Sequence, residues 1–193
     1  MPTAACTIRH LPEFRSRAFL EGLCRLGYKV TAQPSSDPEP GDLLVTWNRH
    51  SHRNATALRY EACGATVLVA ENGWIGTDGD GCQLYAICRS HHNGAGSWFV
   101  GNDDRWARLG IKLAPWRRGG DHIIVLPQRG IGEPGVAMPQ GWLDSILPRL
   151  KRQTDRPVRV RPHPGRLRPD IEPDLEGCWA AVTWASGAGI LAI

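Results

Sequence analysis

The amino-acid sequence predicts an α/β protein built as two units, each around a parallel sheet, with the second unit incomplete. Three observations carry that expectation. Short apolar runs alternate with segments whose apolar positions recur at helical spacing, the rhythm of strand–helix–strand crossovers. Glycine (22) and proline (15) make up about a fifth of the 193 residues, against an average nearer 12%, so tight turns are many and an all-helical fold is disfavoured. The alternation breaks once, over Leu113–Gly120, where a proline, two arginines and two glycines interrupt it, and then restarts.

In the first unit, residues 1–114, Cys6–Arg9 reads as a strand and Glu13–Leu26 as a helix, with Phe14, Ala18, Leu20, Leu23 and Leu26 mostly on one face and Gly27 as its stop. A short strand Tyr28–Thr31, a proline-rich loop Gln33–Gly41, an apolar strand Leu43–Trp47 and a helix Arg53–Cys63 follow. Gly64 ends that helix before Thr66–Ala70, a β-branched run that reads as a buried parallel strand. Asn72–Asp80 reads as loop, Gln83–Cys88 as a further strand and Asp103–Leu109 as a short helix. In the second unit, residues 120–193, the expected order is strand His122–Leu126, loop Pro127–Pro139, helix Gly141–Gln153, strand Val158–Arg161, turn Pro162–Pro173 and strand Trp179–Thr183. After Ala185-Ser186-Gly187-Ala188-Gly189 only Ile190–Ile193 remain, too few for a helix to cover the last strand. Residues 179–193 are therefore expected to leave apolar surface bare, which points to pairing with a second copy or a partner, or to poor solubility.

Composition bounds the setting. No apolar run approaches the roughly 18 residues of a membrane span and no charged-then-apolar leader opens the chain, so it reads as soluble and cytoplasmic, with no membrane span. The net charge of +4 is concentrated in the second half: Arg149–Arg168 holds eight basic residues and one acid, Asp155. Such a stretch either attracts phosphate or another polyanion or is a solvated face. The six cysteines are scattered beside apolar neighbours, as reduced, buried thiols are. Cys82, Cys88, His91 and His92 match none of the paired spacings of structural zinc sites, and no metal is expected.

In open parallel sheets ligands bind at the carboxyl ends of strands, which directs attention to the loops there. Glu71 closes the run Val67–Ala70. A carboxylate so placed is either a general base, more so if burial raises its pKa, or a solvated loop acid or helix cap. His163, between Pro162 and Pro164, is either an ordinary turn residue or a rigidly held hydrogen-bond donor or acid for a phosphoryl group. Ser186 and Gly187, among small residues, suit an anion through hydroxyl and backbone N–H groups, although the turn has neither a P-loop nor a dinucleotide-fold spacing.

Taken in order, Glu71-Asn72-Gly73-Trp74, then His163-Pro164, then Ser186 resemble the motif series of GT-B-type bacterial glycosyltransferases of the capsule-polysaccharide and sialyltransferase-like groups. Asn72 stands where those families have a second acid, and the helices and strand that follow the Ser turn in the complete fold are absent, so the chain reads as a truncated relative. The resemblance implies two Rossmann-like domains facing across a cleft, a nucleotide-sugar donor, a glycan or polymer acceptor, and neither metal nor other cofactor. It implies Glu71 as the acceptor-activating base, with His163 also catalytic. Arg161, His163, Ser186 and Gly187 would hold the donor phosphate; Asn48, Arg49 and Trp74 would meet the acceptor. A second reading, of another class, is a polyanion- or nucleic-acid-binding module that uses Arg149–Arg168 with Trp47, Trp74 and Trp98 for stacking. A third is a non-catalytic remnant.

Overall fold

The computed structural model describes the chain apart from residues 12–13, 78–80, 82, 93–94, 102–103, 133, 135–136 and 166–169, and apart from the side chains at 83 and 105. Glu13, Cys82, Asp103 and the 166–168 end of the basic stretch lie outside the described residues. The chain is mixed α/β and divides into Met1–Leu109 and Gly110–Ile193.

In the first unit β1 (Thr3–Cys6), β2 (Lys29–Thr31), β3 (Leu43–Trp47), β4 (Thr66–Thr77) and β5 (Gln83–Arg89) form one sheet in the order β2-β1-β3-β4-β5. The first four strands are parallel and β5 runs antiparallel to β4. Helix α1 (Ser16–Arg25) links β1 to β2, α2 (His52–Ala62) links β3 to β4, and α3 (Asp104–Leu109) follows β5. The two-residue period of the strands sorts the core into two faces. Ala4, Cys6, Leu43, Val45 and Ala70 pack with Leu23 and Phe19 of α1. Their neighbours Ala5, Leu44, Val67 and Val69 pack with Ala57 and Tyr60 of α2. Burial on both faces is why β3, Thr46 apart, and Val67–Ala70 of β4 are apolar runs.

Two expectations change here. The first strand is Thr3–Cys6, not Cys6–Arg9: Ala4, Ala5 and Cys6 pair with Leu43, Leu44 and Val45, and alanines carry little strand propensity to announce it. The segment from Asn72, expected as loop, continues β4 to Thr77, with an irregularity between Asn72 and Thr77. Asn72-Gly73 is a turn signal in sequence, but Gly73 serves a different purpose. A Cβ there would lie 2.7 Å from the carbonyl oxygen of Leu84, so the glycine admits the close approach of β5. Glu71 therefore pairs with Ala86 within the ladder instead of ending the strand.

In the second unit β6 (His122–Leu126) lies between β7 (Val158–Val160) and β8 (Cys178–Thr183), all parallel, in the order β7-β6-β8. Every residue of β6 is buried. Helix α4 (Trp142–Gln153) precedes β7, a single turn α5 (Glu172–Leu175) precedes β8, and a second single turn α6 (Gly187–Ile190) follows it. The last two lie where turn and tail were expected. Ile171 and Leu175 cover Ile124 and Leu126, with Ala188 and Ala192 packed against the same cluster. Gly120 backs onto β8 so closely that a Cβ would meet Trp179 Cα at 2.5 Å. Trp179, Ile190, Leu191 and Ile193 are all exposed. Among the described residues no helix is long and apolar enough to cross a membrane.

Candidate functional site

The carboxyl end of β3 runs straight into a strained loop. Asn48 and Ser51 hold left-handed φ of 43° and 54°, and Ser90, after β5, holds 68°. Side chains with a Cβ adopt that region at a cost, and such residues gather where the fold over-determines them. Here Arg49 does so. Its guanidinium is buried and meets both carboxylate oxygens of Glu61 at 2.7 and 2.8 Å, Asn54 Oδ1 at 2.8 Å and the carbonyl of Ser90. Arg49, expected at the acceptor, is turned inward and holds the loop to α2. Asn48 donates its backbone N–H to Ala70 and accepts a long bond, 3.4 Å, from Arg53 through its side chain.

Beside this loop stands Glu71. The strand alternation puts it with Val67 and Val69 on the face that α2 covers. Burial raises its carboxyl above the ordinary range, opposed by the backbone N–H of Asn72, 2.9 Å from Oε1, and by the charge of His50. A carboxylate desolvated in this way, with a histidine close by, has the character of a general base. Two further histidines follow β5: the rings of His91 and His92 stack with centroids 4.6 Å apart. His92 is buried, and desolvation together with the charges of His91, His50 and Arg49 pushes its pKa down to about 4. Among the described residues no group of three or more His, Cys, Asp or Glu side chains is arranged to hold a metal ion. Trp74 lies on the β4–β5 hairpin, half-exposed, against Trp98.

In the second unit the loops after all three strands meet at the carboxyl edge of the sheet. Gln128, after β6, donates from Nε2 to the carbonyl of Ala185, after β8, at 2.6 Å. Thr183 Oγ1 donates to Leu126 O and accepts from Ser186 N, which fixes the start of α6. Ser186 caps that turn, its Oγ accepting from Ala188 N at 3.3 Å; Gly187 is the first helical residue. After β7, His163 Nδ1 accepts the backbone N–H of Gly165 at 3.0 Å. The neutral ring therefore carries its proton on Nε2. Partial burial and the charges of Arg129 and Arg161 lower its pKa, which favours the neutral ring with Nε2–H as its donor.

Arg161 is less available than the sequence suggested. Nε donates to the carboxylate of Asp174 and Nη2 to the carbonyl of Asp170, tying β7 to the approach of β8. Arg129, which the sequence reading passed over inside a loop, is exposed and close enough to His163 to act on its titration. The signal for it was present: a strand His122–Leu126, apolar after its first residue, followed by Pro127-Gln128-Arg129-Gly130-Ile131-Gly132, where both glycines have positive φ. His50 was equally legible as the residue after Asn48 and Arg49.

Compared with protein families, with curated proteins and with solved structures, the chain matches none.

Proposed function

We propose that the protein is glycosyltransferase-like, transferring a sugar from a nucleotide-activated donor to a glycan or polymer hydroxyl, with a Rossmann-like character in each unit. The observation that supports it best is the convergence of Arg129, His163, Gln128 and the Ser186 turn on one edge of a parallel sheet. Arg129 offers the positive charge, His163 Nε2–H a neutral donor, and Ser186 its hydroxyl proton. Together these suit the phosphates of a nucleoside diphosphate leaving group. Within the first unit, Glu71 is the residue suited to take the proton of an acceptor hydroxyl; in a transfer the deprotonated oxygen bonds to the anomeric carbon. The bond from that carbon to the phosphate oxygen breaks. The electron pair leaves with the nucleotide, whose charge Arg129 and His163 stabilise.

The competing reading as a polyanion-binding module is weakened by what its arginines do. Arg156 spans the Trp179 ring at 4.4 Å and donates to Gly120 O, and Arg161 is held by Asp174. Titration of a nucleoside diphosphate, a monophosphate and a single-stranded oligonucleotide into wild type, His163→Ala and Arg129→Ala tests the choice. Diphosphate binding weakened about tenfold in both variants is expected. Equal diphosphate binding by all three proteins, or salt-sensitive oligonucleotide binding alone, overturns it.

A further inference from the structure

The β4–β5 hairpin of the first unit carries a concavity whose residues, Trp74 apart, the proposed transfer does not use. Its volume is about 450 Å³, and Trp74, Tyr85, Trp98, Phe99 and Trp106 line it together with aliphatic positions of β4, β5 and α3. That lies within the range of small-molecule sites, roughly 300–1,000 Å³. Tyr85 belongs to the core, but the other four aromatic rings are neither buried there nor scattered singly. Trp74 is 38% exposed, Trp98 43%, Trp106 45% and Phe99 65%, so four large rings border one hollow and each keeps part of its surface open. Trp74 and Trp98 support one another, centroids 5.2 Å apart and tilted by 38°, which pre-forms that side of the hollow. A concentration of apolar surface of this kind on one spot is the mark of a binding site.

From these features we infer that the hollow binds a flat, uncharged molecule of two or three rings. The absence of charge follows from the lining, which among the described residues contains no ionisable side chain except the tyrosine; an ion brought there would lose its water without a partner. The preference for an apolar ring over a sugar follows from the same lining, whose polar side-chain atoms are the indole N–H donors of Trp74, Trp98 and Trp106 and the Tyr85 hydroxyl: the hydroxyl protons of a sugar would find hardly any side-chain acceptor there. Size follows from volume: a dry cavity of about 150 Å³ holds one benzene, and this one is about three times larger. Water in such a hollow is poorly hydrogen-bonded, so its displacement by an apolar face favours binding. Apart from Trp74, which the resemblance assigns to the acceptor, the hollow shares no residue with the transfer reading, and loss of nucleotide binding in a His163 variant says nothing about it.

The probe is N-phenyl-1-naphthylamine, uncharged and three-ringed, titrated into the full chain while its own emission and the quenching of tryptophan are followed. Saturable binding at one site is expected, with affinity lowered about tenfold in Trp106→Ala and in Phe99→Lys. Choline, methyl glucoside and decanoate, each added in excess, should leave the probe bound. Non-saturating binding, affinity unchanged in both variants, or displacement by any of the three competitors overturns the assignment. If Trp106→Ala fails to fold, Phe99→Lys decides, since that side chain is the most exposed of the set.

Discussion

Arg49 and Glu61 meet in two parallel bonds of 2.7 and 2.8 Å, joining the loop after β3 to the body of α2. The guanidinium side is nearly dry and the carboxylate side is 30% exposed. Removing the arginine would leave four acceptors without their donor, Asn54 and the Ser90 carbonyl among them. Arg49→Ala should lower the unfolding free energy by about 3 kcal/mol, the low end for breaking a buried pair. Urea denaturation of both proteins checks it; a loss below about 1 kcal/mol would mean that the pair behaves as a solvated surface bridge.

Acid should destabilise the first unit through His92. Its pKa in the folded chain is about 4 against an ordinary 6.5, depressed by burial first and by His91, His50 and Arg49 after it. Between those values the unfolded chain binds a proton that the folded chain does not. Stability from this group is therefore complete above pH 6.5, falls as the pH drops toward 4, and levels off below. The loss is on the order of 3 kcal/mol. Melting temperatures of wild type and His92→Gln between pH 4 and 7 should show a flatter curve for the variant. Parallel curves would assign the acid sensitivity elsewhere.

Glu71 titrates in the opposite sense. Because burial raises its pKa, the ionised form costs stability at neutral pH, and the favourable contribution of the protonated form is lost as pH rises through the folded value. Glu71→Gln should therefore melt at or above the wild-type temperature while losing transfer activity by about 100-fold or more. In wild type the acid limb of the transfer rate should lie above the ordinary carboxylate range, and His50→Ala, which removes a charge that lowers this pKa, should move it higher. Unchanged activity in Glu71→Gln would remove the base assignment.

Gly73→Ala tests the close approach of the hairpin. The added carbon would stand 2.7 Å from Leu84 O and 2.9 Å from Leu84 C, backbone atoms on a paired strand. The ladder must yield, at a cost of about 1–3 kcal/mol. Chemical denaturation, with tryptophan emission reporting the nearby Trp74 and Trp98, measures both the loss and the local shift; a wild-type midpoint would mean that the hairpin is looser than its geometry.

The sequence alone determined those elements whose signal is local. Leu43–Trp47 and His122–Leu126 are buried on both faces and bounded by turn-forming residues, so pattern and boundary coincide with β3 and β6. Glu71, His163 and Ser186 likewise stand out in the sequence as polar residues beside apolar runs. Tertiary structure decided what depends on partners far along the chain. Asn72-Gly73 became strand because β5 lies against it, and Arg49 became a buried clamp because Glu61 and Ser90 surround it. Arg129 gained its place because the loops after β6 and β7 converge, bringing it near His163. Periodicity and turn chemistry act over a few residues, whereas pairing, close backbone approach and charge burial are set by which segments the fold brings together.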